Sequence, residues 1–146
     1  MATVEENIRY IRNLIHMYSN QVGNTDSEIR ALEEEIESLR AFKQVVENSR
    51  SNYKTVLLQK EVKLQSADAL SMRVQSARYY KKEMQNVLTG RSAKKTTEAF
   101  DDLIDRITER INNLSTILGQ KRNGVNWLWT TIGNLRQRLT ELMNQD

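Results

Sequence analysis

The sequence contains no cysteine and no proline, only five glycines and two phenylalanines, and a single histidine. Without cysteine there are no disulfides, no thiolate nucleophile and no thiolate metal site, although reduced and oxidising compartments both tolerate such a chain. Without proline, nothing forces a helix interior to break. The lone His16 lies beside Ile15 with no ligand or acid near it in sequence, so neither a metal set nor a general-base dyad forms around it. The scattered glycines do not make a phosphate-binding loop. No stretch approaches the roughly 20 apolar residues of a membrane span. Residues 1–15 carry early acids and no continuous apolar core, so no Sec signal peptide is expected. The expectation is a cytoplasmic protein, or one co-exported by a route that needs no cleaved leader.

What the chain has is charge and periodicity. Charged residues make up 28% of its 146 positions and hydrophobic ones 38%, with a mean hydropathy of −0.66. That balance is too poor in apolar side chains for a globular core and suits long solvated helices. Net charge is +3, unevenly spread. Residues 73–95 hold seven lysines and arginines against Glu83 alone, between acidic flanks at 26–37 and 98–109. Nucleic-acid binding is disfavoured, because aromatic residues there are confined to Tyr79-Tyr80. The carboxylates Glu33-Glu34-Glu35 and Asp101-Asp102 fall on polar helical faces, where nothing separates their pKa values for acid–base work. The chain is expected to be no enzyme and to need no cofactor or metal.

Apolar residues follow helical spacing throughout. Val4, Ile8, Ile11, Ile15, Tyr18 and Val22 alternate at three and four residues, giving a first amphipathic helix over about 3–22. Gly23-Asn24 then supplies a stop signal, and Thr25 to Glu28 spells a capping box, so a break is expected near 23–26. The seam resumes through Ile29, Leu32, Ile36 and Leu39 and thins where Lys43, Arg50 and Lys60 fall on it, while Val46, Tyr53, Leu57 and Leu64 carry it on. One long helix over about 27–87 follows. Leu88 to Ser92 reads as a reversal, with Gly90 at positive φ and Ser92 as the next N-cap.

The last segment, about 93–143, has the most regular pattern. Phe100, Ile107, Leu114, Lys121, Leu128, Leu135 and Leu142 recur every seven residues, and so do Ile104, Ile111, Leu118, Val125, Ile132 and Leu139. This is a coiled-coil seam interrupted only by Lys121. Because the register survives Gly119 and Gly124, the helix is expected to run through both. The fold class is therefore all-α: an elongated antiparallel helical hairpin with an additional N-terminal helix and a turn near Leu88–Ser92, forming one domain over 1–146. The seam of 100–142 is expected to close against 29–64. Trp127 and Trp129, on either side of Leu128, are candidate partner anchors.

The order of a Ser27–Leu39 coiled-coil run, Leu88-Thr89-Gly90 with Ala93 and Phe100, and then an unbroken heptad helix resembles the YwqH-like family. These are small helical proteins associated with LXG toxins of type VII secretion in Gram-positive bacteria, within the WXG-like superfamily. The resemblance covers about Ser27 to Met143, with Leu88 where the family's turn motif has tryptophan. It implies a targeting factor or chaperone for the helical N-terminal region of an LXG toxin, acting with or without a second small helical accessory protein. The partner-binding residues expected on this reading are Leu88, Gly90, Phe100, Trp127, Leu128, Trp129, Ile132, Leu135 and Leu139. Tyr79 and Glu83 spell the family's Tyr-x-x-x-Glu secretion signal, placed here before the turn. A self-assembling coiled coil of cytoskeletal or phage-scaffold type is the alternative, and a homo-oligomer is compatible with either.

Overall fold

The computed structural model describes residues 3–66, 82–83, 85–87 and 90–145. Two helices dominate it: α1, Val4–Ser66, of 63 residues, and α2, Arg91–Met143, of 53. Residues 82–83 and 85–87 are also helical, Gly90 is a bend, and the described residues contain no strand.

α1 begins at a capping box. Thr3 Oγ1 accepts from the Glu6 amide at 3.1 Å, and Glu6 Oε2 accepts from the Thr3 amide at 3.1 Å. Two donors that the first turn would leave unpaired are thereby satisfied. The break expected at 23–26 does not occur, and the helix expected over 3–22 is simply the first part of α1. The reason lies in the seam. Val22 is 4% exposed, Thr25 continues the heptad as a half-buried residue, and Ile29 follows four residues later. Ending the helix at Gly23 would throw those side chains out of register. Ser27 does not cap; its hydroxyl donates to the Gly23 carbonyl at 3.2 Å, one turn back.

α2 also starts differently from expectation. Gly90 does not take positive φ, since no described glycine does. A Cβ on it would collide with the Asn86 carbonyl oxygen, so the position demands glycine for closeness rather than for handedness. The Gly90 carbonyl accepts from the Lys94 amide at 3.1 Å, which makes Gly90 the N-cap and puts Ser92 inside the helix. The first turn has no acid and carries Arg91 and Lys94, an unfavourable arrangement against the helix dipole. Past Gly119 and Gly124 the helix continues unbroken, as its register requires.

The chain divides into two compact units, Met1–Glu37 with Asn112–Asp146, and Ser38–Ile111. In the first, Val22, Val125, Leu128 and Ile132 form a buried cluster, with Ile15, Tyr18 and Ile29 packed against it. Ile132 is fully buried. The pairing is antiparallel: Tyr18 meets Trp127, Lys121 Nζ reaches Glu28 Oε2 at 2.6 Å, and Arg122 meets Glu33 Oε1 at 2.9 Å. The α2 seam thus closes on residues 15–29 here, and not on 29–64 alone as expected. Tyr18 takes the place opposite Trp127; of the helix expected over about 27–87, residues 67–81 and 84 lie outside the described residues. Lys121, the one polar interruption of its seam, stretches its stem along the apolar surface and ends on Glu28.

In the second unit Val46, Ala93, Ile107 and Ile111 are buried, and Tyr53 packs against Phe100 with ring centroids 5.9 Å apart. Lys43 and Arg50 occupy seam positions. Lys43 lies 3.9 Å from Glu47, and the buried Arg50 Nε lies 3.0 Å from Asp101 Oδ1, a charge contact without an aligned hydrogen bond. Two cations among so few seam positions leave this pairing less apolar than the first. Phe42, Val45, Val56 and Leu58 are about half exposed on α1 here.

Candidate partner-binding surface

A seam closed between two helices leaves two flanks, one on either side of the line where they meet. In the Met1–Glu37/Asn112–Asp146 unit these flanks differ in chemistry. The α1 positions just before the seam residues are Asn7, Tyr10, Leu14, Met17, Gln21 and Asn24. The corresponding α2 positions are Asn113, Ile117, Gln120, Gly124, Trp127, Thr131 and Asn134. None of these is charged, in a chain that is 28% charged overall; further along, the same column holds Glu28 and Glu35 on α1 and Arg138 and Glu141 on α2. The α1 positions just after the seam include Arg9, Arg12, His16, Arg30, Glu33 and Glu37. The first flank is therefore uncharged over 7–24 and 113–134 and charged beyond, whereas the other is ionic along α1.

The contacts place these columns together. A groove of about 190 Å³ at the end of the first flank's uncharged stretch is lined by Asn7, Tyr10, Ile11, Leu14 and Leu135 and bordered by the charged Arg138. A second, of about 490 Å³, lies on the ionic side among Glu5, Ile8, Arg9, Arg12, Asn13 and Met143, where an Arg12 amino group sits 4.0 Å from the Met143 sulfur. Among the described residues no three His, Asp or Glu side chains converge as a metal set, and no helix is long and apolar enough to cross a membrane.

The two tryptophans separate onto the two flanks. Trp127 is 60% exposed and meets Tyr18 edge-on, with centroids 6.1 Å apart and planes at 82°. That geometry suits the ring quadrupoles and holds the indole upright on the uncharged stretch of the first flank. Trp129 is 50% exposed on the ionic side, one helical position row from Arg122 and Gly133. Leu128 between them is 7% exposed and belongs to the core.

Several residues of the expected partner-binding set are therefore unavailable to a partner. Leu128 and Ile132 are enclosed by α1, because the seam that makes them look sticky in sequence is already matched within the chain. Leu135 and Leu139 are half-buried, and Leu135 keeps an open edge on the groove. Phe100 is half-buried on Tyr53 in the other unit. Gly90 marks the start of α2, Glu83 is an exposed helical residue, and Leu88 and Tyr79 lie outside the described residues. Among the described residues of the set, Trp127 and Trp129 are the ones that are both large and at least half exposed. Tyr10, 64% exposed, and Met17, 44%, complete the uncharged stretch and were missed from sequence. The signal that would have found them is the charge-free part of the column one place before the seam.

Compared with protein-family models, characterised proteins and solved structures, the chain matches none.

Proposed function

We propose that this chain is a helical accessory protein of type VII secretion, a targeting factor or chaperone that packs against the helical N-terminal region of an LXG toxin. The observation that supports this most is the state of α2. Its seam is enclosed by α1, yet Trp127 and Trp129 stand 60% and 50% exposed on either side of the buried Leu128. Burying a tryptophan removes 150–250 Å² of ring surface from water, which is why such residues concentrate binding energy at interfaces. Two of them on one helix of a chain with only two in all is an interaction surface in want of a partner. The order of coiled coil, turn and heptad helix adds the family resemblance, and the proposal places binding in the cytoplasm, before or during export.

Co-expression with the N-terminal region of an LXG toxin tests the reading. A complex that copurifies through a tag on the toxin is the expected result. A stable chain that never copurifies with such a region overturns it. The rival reading, a self-assembling structural coiled coil, requires the chain alone to form homodimers or larger forms whose melting temperature rises with concentration.

A further inference from the structure

We infer that the Ser38–Ile111 unit is a built-in opening segment. It unlocks while the Met1–Glu37/Asn112–Asp146 unit stays closed, and α1 residues 39–57 act as a removable cover over the α2 stripe of Phe100, Ile104, Ile107 and Ile111. This goes beyond the toxin-binding reading and does not rest on it.

Topology alone predicts the reverse. Both chain ends belong to the first unit, and paired helices fray from their free ends. Capping and packing overrule that default. The free end of α1 is sealed by the Thr3–Glu6 capping box, and every α1 seam position from Val4 to Ile36 is uncharged. Along α1 the first unit buries Ile11, Val22 and Ile36, whereas among the described residues the second buries Val46 alone. From α2 the first unit receives Leu114, Leu118, Val125, Leu128 and Ile132, and the second receives Ala93, Ile107 and Ile111. The cost of opening grows with the apolar surface returned to water, so the second unit opens more cheaply.

The seam cations sharpen the difference. Lys121 of the first unit is answered across the seam by Glu28 Oε2 at 2.6 Å. In the second unit Lys43 pairs along its own helix, with Glu47 at 3.9 Å, and ties nothing to α2. Arg50 does reach Asp101, but its buried Nε has no aligned acceptor. A buried donor without a hydrogen bond raises the energy of the closed form, and opening returns it to water. Phe42, Val45, Val56 and Leu58 stand about half exposed even when the unit is closed, so opening loses little of their burial. The same unit holds the first turn of α2, which starts at Gly90 without a side-chain cap and sets Arg91 and Lys94 against the helix dipole.

Opening uncovers three turns of the α2 seam, about 16 Å from Phe100 to Ile111 at 1.5 Å per residue. Trp127 and Trp129 meanwhile stay mounted on a folded unit. Open and closed forms are two states of one segment, and Arg50 sets the balance between them. An unpacked helix of this length is marginal in water, so the opening registers in its backbone amides.

Native-state hydrogen exchange of the full chain, read by mass spectrometry, tests this. Relative to intrinsic rates, amides of 100–111 should exchange at least about tenfold faster than those of 118–132. Arg50→Leu should slow the first set at least about fivefold and leave the second unchanged. The absence of native cysteine gives a second reading. Ile107 and Leu128 are equally enclosed, at 6% and 7% exposure, so labelling of a cysteine at either position requires opening. Ile107→Cys should react with a thiol reagent faster than Leu128→Cys, and adding Arg50→Leu should slow the first reaction only. Equal protection of the two amide sets, faster exchange in 118–132, or an Arg50→Leu that slows both sets alike or neither overturns the inference. All of these measurements use the chain alone, so their failure leaves the toxin-binding reading standing, and failure to bind a toxin leaves the opening segment standing.

Discussion

Replacing Ile132 by alanine removes the best-buried side chain in the structure, and its cost can be worked from the surroundings. Ile132 is 0% exposed and touches the cluster of Val22, Val125 and Leu128 that Ile15, Tyr18 and Ile29 close over. The change deletes three carbons, about 2.4 kcal/mol of transfer free energy at roughly 0.8 kcal/mol each. A cavity of roughly 60 Å³ adds about 1.4 kcal/mol if the helices do not close on it. The better helix propensity of alanine returns roughly 0.4 kcal/mol. The net loss is about 3 to 3.5 kcal/mol, or a fall in melting temperature on the order of 10 °C for a chain of this size. Urea unfolding followed by far-ultraviolet circular dichroism, at one fixed protein concentration because self-association shifts apparent stability, measures it directly. Ile117→Ala is the control, since Ile117 is 39% exposed and should lose under about 1 kcal/mol. A loss at Ile132 no larger than at Ile117 would refute the assignment of the α2 seam to residues 15–29.

Three further outcomes follow from the helix geometry. Gly23→Ala should stabilise by about 0.5–1 kcal/mol in thermal unfolding, because Gly23 is inside α1 with open space at its Cβ; a loss would restore the break at 23–26. Gly90→Ala should do the opposite, destabilising by more than about 1 kcal/mol, because its Cβ meets the Asn86 carbonyl. Lys94→Glu, which puts an acid into a first turn that has none, should raise stability by about 0.3–1 kcal/mol at low salt, and the gain should fade as salt is added.

The seam was legible in the sequence because heptad spacing is a direct projection of helix geometry, and both helices follow it. The flaws in the reading came where a local signal was weighed above the register. Gly23-Asn24 and the Thr25–Glu28 capping box look like a helix boundary, yet the same spelling at Thr3–Glu6 is the working cap. What separates them is that Thr3 directly precedes the first helical residue, Val4, whereas Val22 is already buried in the same helix before Thr25. The reasoning that carried α2 through Gly119 and Gly124 applied equally to Gly23. Which stretch of α1 faces which stretch of α2 was not legible, because the heptad pattern fixes the face of each helix and leaves its sliding position open. That position is set by particular pairs, Lys121 with Glu28, Arg122 with Glu33 and Tyr18 with Trp127, whose partners are about 90 to 110 residues apart in sequence. For the candidate surface, tryptophan identity was enough to find Trp127 and Trp129. Their separation onto unlike flanks needed the pairing, and so did the burial of Leu128 and Ile132.

The most direct test of the central claim is the affinity of the purified chain for the N-terminal helical region of an LXG toxin, measured by calorimetry for the wild type and for Trp129→Ala. The indole is 50% exposed and supports no part of the buried cluster, so the variant should fold normally. The account predicts saturable binding that Trp129→Ala weakens at least tenfold, about 1.4 kcal/mol. Absence of binding, or binding that is indifferent to Trp129, contradicts it.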